Sequence, residues 1–128
     1  RARLTCRGDL DARVDADALS RVLGNLLRNA VEAGPDVHVQ VTATRQRGRI
    51  EVLVEDDGPG VPAQVGDRVF EPFVSTKERG TGLGLALSAR VLSWLGGELE
   101  LLNPGERGAR FRVRLPALEA RAVQEAAT

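Results

Sequence analysis

A single cysteine and a single histidine in 128 residues rule out a disulfide framework and a conventional zinc site. A Ser-His-Asp or Cys-His catalytic centre would have to use His38 or do without a histidine altogether. Tyrosine and methionine are absent, and the aromatics are three Phe and one Trp. Charge of either sign is not in excess. The 18 basic and 18 acidic side chains cancel, which argues against a dedicated nucleic-acid binder. No apolar run approaches the roughly 18 residues of a membrane span. Arg1 to Cys6 carries no apolar stretch, so no signal peptide is expected there. The length suits one domain, and 42% hydrophobic with 28% charged residues is the balance of an ordinary soluble globular chain.

Periodicity organises most of this length. Alternation from Arg1 to Val14 predicts one or two short strands with a turn at Arg7-Gly8-Asp9. Leu19, Val22, Leu23, Leu26, Ala30 and Ala33 form one apolar face of a helix from Asp15 to Ala33, started by Asp15 or Asp17 and stopped by Gly34-Pro35. Val37, Val39, Val41 and Ala43 alternate with polar residues, as do Ile50, Val52 and Val54. With Gln46-Arg47-Gly48 between them, they predict a hairpin. A second helix spans about Gly82 to Leu95, with Leu83, Leu87, Val91 and Trp94 on one side and Gly96-Gly97 at its end. Leu99 and Leu101, an Asn103-Pro104-Gly105 turn, and Phe111, Val113 and Leu115 predict a final hairpin. The fold class is therefore α+β: a two-layer α/β sandwich, with a mixed, mainly antiparallel sheet and helices on one face. One domain is expected over residues 1–116, followed by an Ala-rich tail over 117–128. Trp94 and Cys6 are expected to pack in the interior. Arg110, Arg112 and Arg114 are read as a solvated basic stripe.

Three segments carry chemistry. On the first helix Arg21, Asn25, Arg28, Asn29 and Glu32 cluster, and the two Asn cost about 1 kcal/mol relative to Ala. Asn29 lies at the border of the apolar face, where an amide offers an oxygen to a hard cation such as Mg²⁺ and a donor to a phosphate. It could equally bond a neighbouring loop. In Glu55-Asp56-Asp57-Gly58-Pro59-Gly60, Asp56 shares the parity of Ile50, Val52 and Val54, so its carboxylate follows them onto the core face. There it needs a donor. The exocyclic amine of adenine is one, and Gly58 and Gly60 would let a flat ring approach the backbone; the alternative is a strand-end turn. Gly80-Thr81-Gly82-Leu83-Gly84 opens the second helix as a glycine-rich anion site, or as tight helix–sheet packing. Lys77 and Arg79 precede it as phosphate contacts or as solvated charges. Six glycines and three prolines between Asp57 and Gly84 mark a long irregular segment, uncommon in a compact domain unless functional.

Taken in this order, the segments closely resemble the catalytic ATP-binding domain of two-component sensor histidine kinases, in the wider group of DNA gyrase, Hsp90 and MutL. Asn25-Leu26-Leu27-Arg28-Asn29-Ala30 looks like the family's N box and Asp56-Asp57-Gly58-Pro59-Gly60 like its G1 box. Phe70-Glu71-Pro72-Phe73 looks like the F box and Gly80-Thr81-Gly82-Leu83-Gly84-Leu85 like the G2 box. The resemblance covers about Leu10 to Pro116. It implies a Bergerat-type sandwich binding ATP with Mg²⁺, in which Asn29 is the metal ligand, Asn25 a phosphate-side partner and Asp56 the adenine reader. Residues from about Val61 to Gly80 would form the lid over the phosphates, anchored by Phe70 and Phe73, with Lys77 on the γ-phosphate.

Departures sharpen the reading. Many members carry Lys three residues after the metal Asn; Glu32 here puts more weight on Lys77. The residue before the closing Phe is often Thr; here it is Arg110. Gyrase-like relatives place a general-base Glu one turn before the metal Asn, as anti-sigma-factor serine kinases typically do. Asn25 cannot take a proton, so slow hydrolysis and transfer to a protein are expected. The acceptor is expected to be a histidine-containing dimerisation domain, in the same full-length protein or in trans, serving a response regulator receiver domain. His38 is followed by Val39 and lies on the polar side of a strand, so it is not that acceptor. The chain thus reads as a catalytic half, cut from a larger kinase or acting in trans. No nucleic-acid or membrane contact by the domain is expected, and its location is cytoplasmic even where the full-length protein is membrane-anchored. A serine kinase of the anti-sigma type or a non-catalytic nucleotide- or partner-binding module are the alternatives.

Overall fold

The structure is a computed structural model that describes residues 2–7, 16–74 and 83–116, with only the backbone for 2–7, 16 and 46. The predicted capping residue Asp15, the turn at 7–9 beyond Arg7 and the tail 117–128 lie outside the described residues. The side chain of Cys6 lies outside them too.

The first helix, α1, runs Ala16–Val31, with Asp17 in its first turn and Arg28 in its last, both favourable to the helix dipole. Val22, Leu26 and Ala30 are buried and Leu19, Leu23 and Leu27 pack beside them, the face read from the sequence. The helix ends two residues before Ala33. The Glu32 and Ala33 amides close a last turn onto the Arg28 and Ala30 carbonyls before Gly34-Pro35 stops the chain.

Five strands form one sheet in the order β1-β2-β3-β5-β4. They are β1 (Ala2–Arg7), β2 (Val39–Gln46), β3 (Arg49–Asp56), β4 (Glu98–Leu101) and β5 (Arg110–Pro116). Among the described strands only β1 and β2 pair in parallel, and α1 lies in the crossover that a parallel pair requires. β2 and β3 form the expected hairpin, closed by Arg47 at φ 51° and Gly48 at φ 76°. Two consecutive left-handed residues are what a two-residue mirror turn needs. Side chains meet in rows across the helix-facing side: Ala43, Val52, Val113 and Leu99 in one, Val41, Val54, Phe111 and Leu101 in the next.

The outer face carries Arg110, Arg112 and Arg114, read from the sequence as a solvated basic stripe. It is not basic in the fold. Arg110 pairs with Glu55 at 3.1 Å, Arg112 with Glu100 at 2.7 Å, and Arg114 lies within 4 Å of Glu51 and Glu100. The antiparallel register sets acidic residues of β3 and β4 beside the basic ones of β5. Each such partly exposed pair adds only about 0–1 kcal/mol. Its stronger effect is to leave the face electrically balanced.

The second helix, α2, spans Gly84–Trp94 and is rotated from the predicted orientation. Leu92 and Ser88 are fully buried, whereas Leu87 is 55% exposed and Trp94 73%. Trp94 is therefore no core residue; its ring lies 5.5 Å from the Arg90 guanidinium on the helix surface. The stripe that contains Trp94 faces solvent, and the stripe through Ser88 is the one that meets α1. The helix stops where Gly96 turns left-handed at φ 78°, the Gly97 amide donating to Leu92 and the Gly96 amide to Ser93. That pair of bonds is the Schellman ending.

This orientation predicts that Leu92→Ala costs about 2–5 kcal/mol in urea unfolding, while Leu87→Ala stays within about 0.5 kcal/mol of wild type. Equal costs would mean the helix buries the other face.

Candidate nucleotide site

Asp56 ends β3 on the core-facing side, as its parity requires. Its Oδ1 accepts from the Gly58 amide at 2.9 Å and the Ala109 amide at 3.3 Å, so one carboxylate oxygen ties the turn after β3 to the chain entering β5. Backbone bonds repeat that link: the Asp56 amide donates to the Ala109 carbonyl and the Gly108 amide to the Gly58 carbonyl. Asn103 secures the same loop, its Nδ2 donating to Gly108 at 2.8 Å and its Oδ1 accepting from Arg110 at 2.9 Å. Asn103 had been read only as part of a turn. Its burial in a loop is the signal that sequence could not supply.

The two glycines are explained differently from one another. A Cβ on Gly58 would stand 2.8 Å from the Ala33 Cβ and 3.1 Å from Asp56 Oδ1, so only glycine lets the end of α1, Val37 and the carboxylate converge. Gly60 sits at φ 82°, and a Cβ there would overlap the Glu106 carbonyl. The close approach at Gly60 is thus made by the chain's own loop.

From Ala33, two residues beyond the end of α1, the chain leads back along the helix through Asn29 to Asn25, roughly 12 Å at helical rise. At that far end Asn25 Nδ2 donates to Ser88 Oγ at 3.1 Å and faces the Gly84 carbonyl at 3.5 Å. The two Asn predicted to flank the phosphates are therefore one turn apart on α1, and Asn25 touches the start of α2. Leu83 is the residue preceding that helix and takes its N-cap position. Lys77, Gly80, Thr81 and Gly82 lie outside the described residues.

Residues 61–74 are not the unbroken irregular stretch that the glycines suggested. Val61 and Val69 are core residues, and Gly66–Phe70 forms a 3-10 helix. Phe70 meets Phe111 edge to face at 6.1 Å, an anchoring contact. Phe73 is different: it is 78% exposed and holds φ 67°, so it anchors nothing in the core.

On the outer side of the same turn, the His38 amide donates to Asp57 Oδ1 at 2.7 Å and His38 Nδ1 lies 3.2 Å from Oδ2. The Asp57 amide returns a bond to the His38 carbonyl. His38 thus sits exposed, just before β2, clasped to the turn. The backbone amide of His38 is the main cause that holds the Asp57 carboxyl below the usual carboxylate range.

Residues 14–119 match the model of the histidine kinase-, DNA gyrase B-, and HSP90-like ATPase family, and the chain belongs to that family as an ATP-binding catalytic domain of the histidine kinase kind. Sporulation kinase A of Bacillus subtilis is 37% identical over 103 residues, 80% of this chain and 17% of the relative. The sensory histidine kinase/phosphatase NtrB of Rhodobacter capsulatus is 40% identical over 116 residues, 80% of this chain and 32% of the relative. The chain accordingly spans about a third or less of the length of these curated relatives. Among solved structures, full-length ShkA in complex with AMPPNP superposes with a TM-score of 0.83 at 32% identity, over 93% of this chain and 26% of that one. The nucleotide-free catalytic domain of histidine kinase ThkA gives 0.81 at 28% identity, over 91% and 78%.

The His38–Asp57 clasp carries a pH signature. A carboxyl depressed in the folded state stabilises fully above the unfolded carboxylate range near pH 4, and the contribution is lost as pH falls through its lowered value. The stability difference between wild type and Asp57→Asn should therefore shrink as pH drops from about 5 toward 3. A difference that stays constant over that range would show that the clasp adds nothing to the fold.

Proposed function

We propose that the chain binds ATP with Mg²⁺ along α1 and donates the γ-phosphoryl group to a histidine on a separate dimerisation domain. That acceptor stands in the same full-length protein or in trans, and its phosphohistidine serves a response regulator receiver domain. The observation that carries the reading is the Asp56 carboxylate. Its Oδ1 is committed to two backbone amides, so its orientation is fixed, and Oδ2, which neither amide engages, suits the exocyclic amine of adenine. A charge-assisted hydrogen bond of this kind is about twice as strong as a neutral one.

With adenine at Asp56, the run of α1 from Asn29 to Asn25 points the phosphates toward the start of α2, a helix N-terminus that favours anions. Asn29 would hold the metal through its amide oxygen. Among the described residues no group of three His, Cys, Asp or Glu converges as a metal cage. An amide donor fits an ion held largely by phosphate oxygens and water. When bound, Mg²⁺ neutralises phosphate charge. The remaining work falls to this chain's residues: Lys77, Gly80, Thr81 and Gly82 around the phosphates, and Phe70 anchoring the lid through Phe111. The acceptor imidazole nitrogen attacks γ-phosphorus, the bond to the bridging oxygen breaks and ADP departs. This in-line exchange requires positioning and charge neutralisation more than a base. Asn25 stands where a hydrolytic relative carries its Glu, consistent with transfer to protein in preference to water. No described helix is long and apolar enough to cross a membrane, and a cytoplasmic catalytic domain is the location we propose.

Asp56→Asn keeps Oδ1 for the two amides and replaces Oδ2 with a donor that opposes the adenine amine. ATP binding measured by calorimetry should weaken by about 2 kcal/mol, near 30-fold, with the fold retained. In the same titrations Asn29→Ala should abolish the Mg²⁺-dependent part of the affinity. ATP bound as tightly by Asp56→Asn as by wild type would remove Asp56 from adenine recognition.

A further inference from the structure

Ser88 is 1% exposed in the core between α1 and α2. Alanine would suit that place better on helix propensity, and a buried hydroxyl costs free energy unless it is bonded. Its bond is to Asn25, whose Nδ2 donates to Ser88 Oγ at 3.1 Å while facing the Gly84 carbonyl at 3.5 Å. A backbone carbonyl can only accept, so the group turned toward Gly84 is the NH₂ and the orientation of the amide is settled by chemistry. Both acceptors on α2 are therefore presented to the donor end of Asn25. The atom left for other duties is Oδ1, an acceptor, which has nothing to offer a phosphate oxygen.

We propose that Ser88 is a positioning residue for the phosphate end of the nucleotide site. It latches Asn25, and through it α1, to the first turn of α2, so that the amides at the start of α2 keep a fixed distance from Asn29. Asn25 then serves as the latch between helices and not as a direct donor to phosphate. This rests on the nucleotide-binding reading above, and it adds a residue that lies outside all four sequence boxes. The effect is confined to one end. Asp56 sits at the opposite end of α1, tied to β5 by bonds that do not involve Ser88.

The test compares Ser88→Ala, Ser88→Thr, Asn25→Ala and the double alanine variant. In the nucleotide-free chain, the Asn25 side-chain amide resonances should show slowed hydrogen exchange in wild type and Ser88→Thr, and lose it in Ser88→Ala. Unchanged exchange in Ser88→Ala overturns the latch, whether or not the chain binds nucleotide. In binding, Ser88→Ala should weaken ATP about five- to tenfold, as expected for one lost hydrogen bond, and leave adenosine within twofold. Ser88→Thr should restore ATP, and the double variant should be no weaker than the worse single one. Equal losses for ATP and adenosine, or additive losses in the double variant, would overturn the positioning role. Failure of wild type to bind either ligand would instead sink the nucleotide reading, with the exchange measurement still deciding the latch.

Discussion

One carboxylate holds the site together. Asp56 sits at the end of a strand whose preceding inward residues are all apolar, a position where an unpartnered charge is costly. Its Oδ1 meets that cost by joining the amides of Gly58 and Ala109, segments more than fifty residues apart. The turn after β3 and the entry to β5 are fixed relative to one another by this contact. The small residues around it follow from the same constraint: Gly58 admits Ala33 and the carboxylate side by side, and Gly60 admits the loop at Glu106. Removing the charge while keeping Oδ1 leaves the scaffold and changes only what the second oxygen can recognise.

The helix α1 gives this point a direction. Its apolar side is spent on the sheet, through Val22, Leu26 and Ala30. Its border carries Asn25 and Asn29 at one-turn spacing, so polar groups recur in a line from the Asp56 end toward α2. Asn25 meets α2 through Ser88, which makes the mutual placement of the helices part of the site and not only of the core. On the outer face of the sheet the arginines and glutamates cancel in register, in keeping with the chain's zero net charge.

Much of this was legible in the sequence. Period-two alternation located all five of the described strands, and parity alone put Asp56 inward. The apolar stripe of α1 and the hairpin at Arg47-Gly48 were equally direct, because local propensity and tertiary packing agree there. What failed was the choice between competing stripes on α2. Leu87 and Trp94 looked like the buried face, but a serine that finds a hydrogen-bond partner across a helix interface carries no hydropathy signal. Phe73 failed for a related reason: an aromatic in a box motif was assigned an anchor's role, whereas its left-handed backbone turns it to solvent. Asn103 and the partnering of His38 with Asp57 depend on contacts between distant segments, which spacing along one chain does not encode.

What most needs testing is the proposed transfer of the γ-phosphoryl group from this chain to a histidine of a dimerisation domain, with His38 taking none. The direct measurement incubates the chain with γ-³²P-ATP and Mg²⁺, alone and with a histidine-containing dimerisation domain from its own full-length protein. The expected result is no label on the chain alone and acid-labile label on the added domain, abolished by replacing that domain's histidine. Acid-labile phosphate on His38, or no transfer to the domain by a chain that binds ATP, would contradict it.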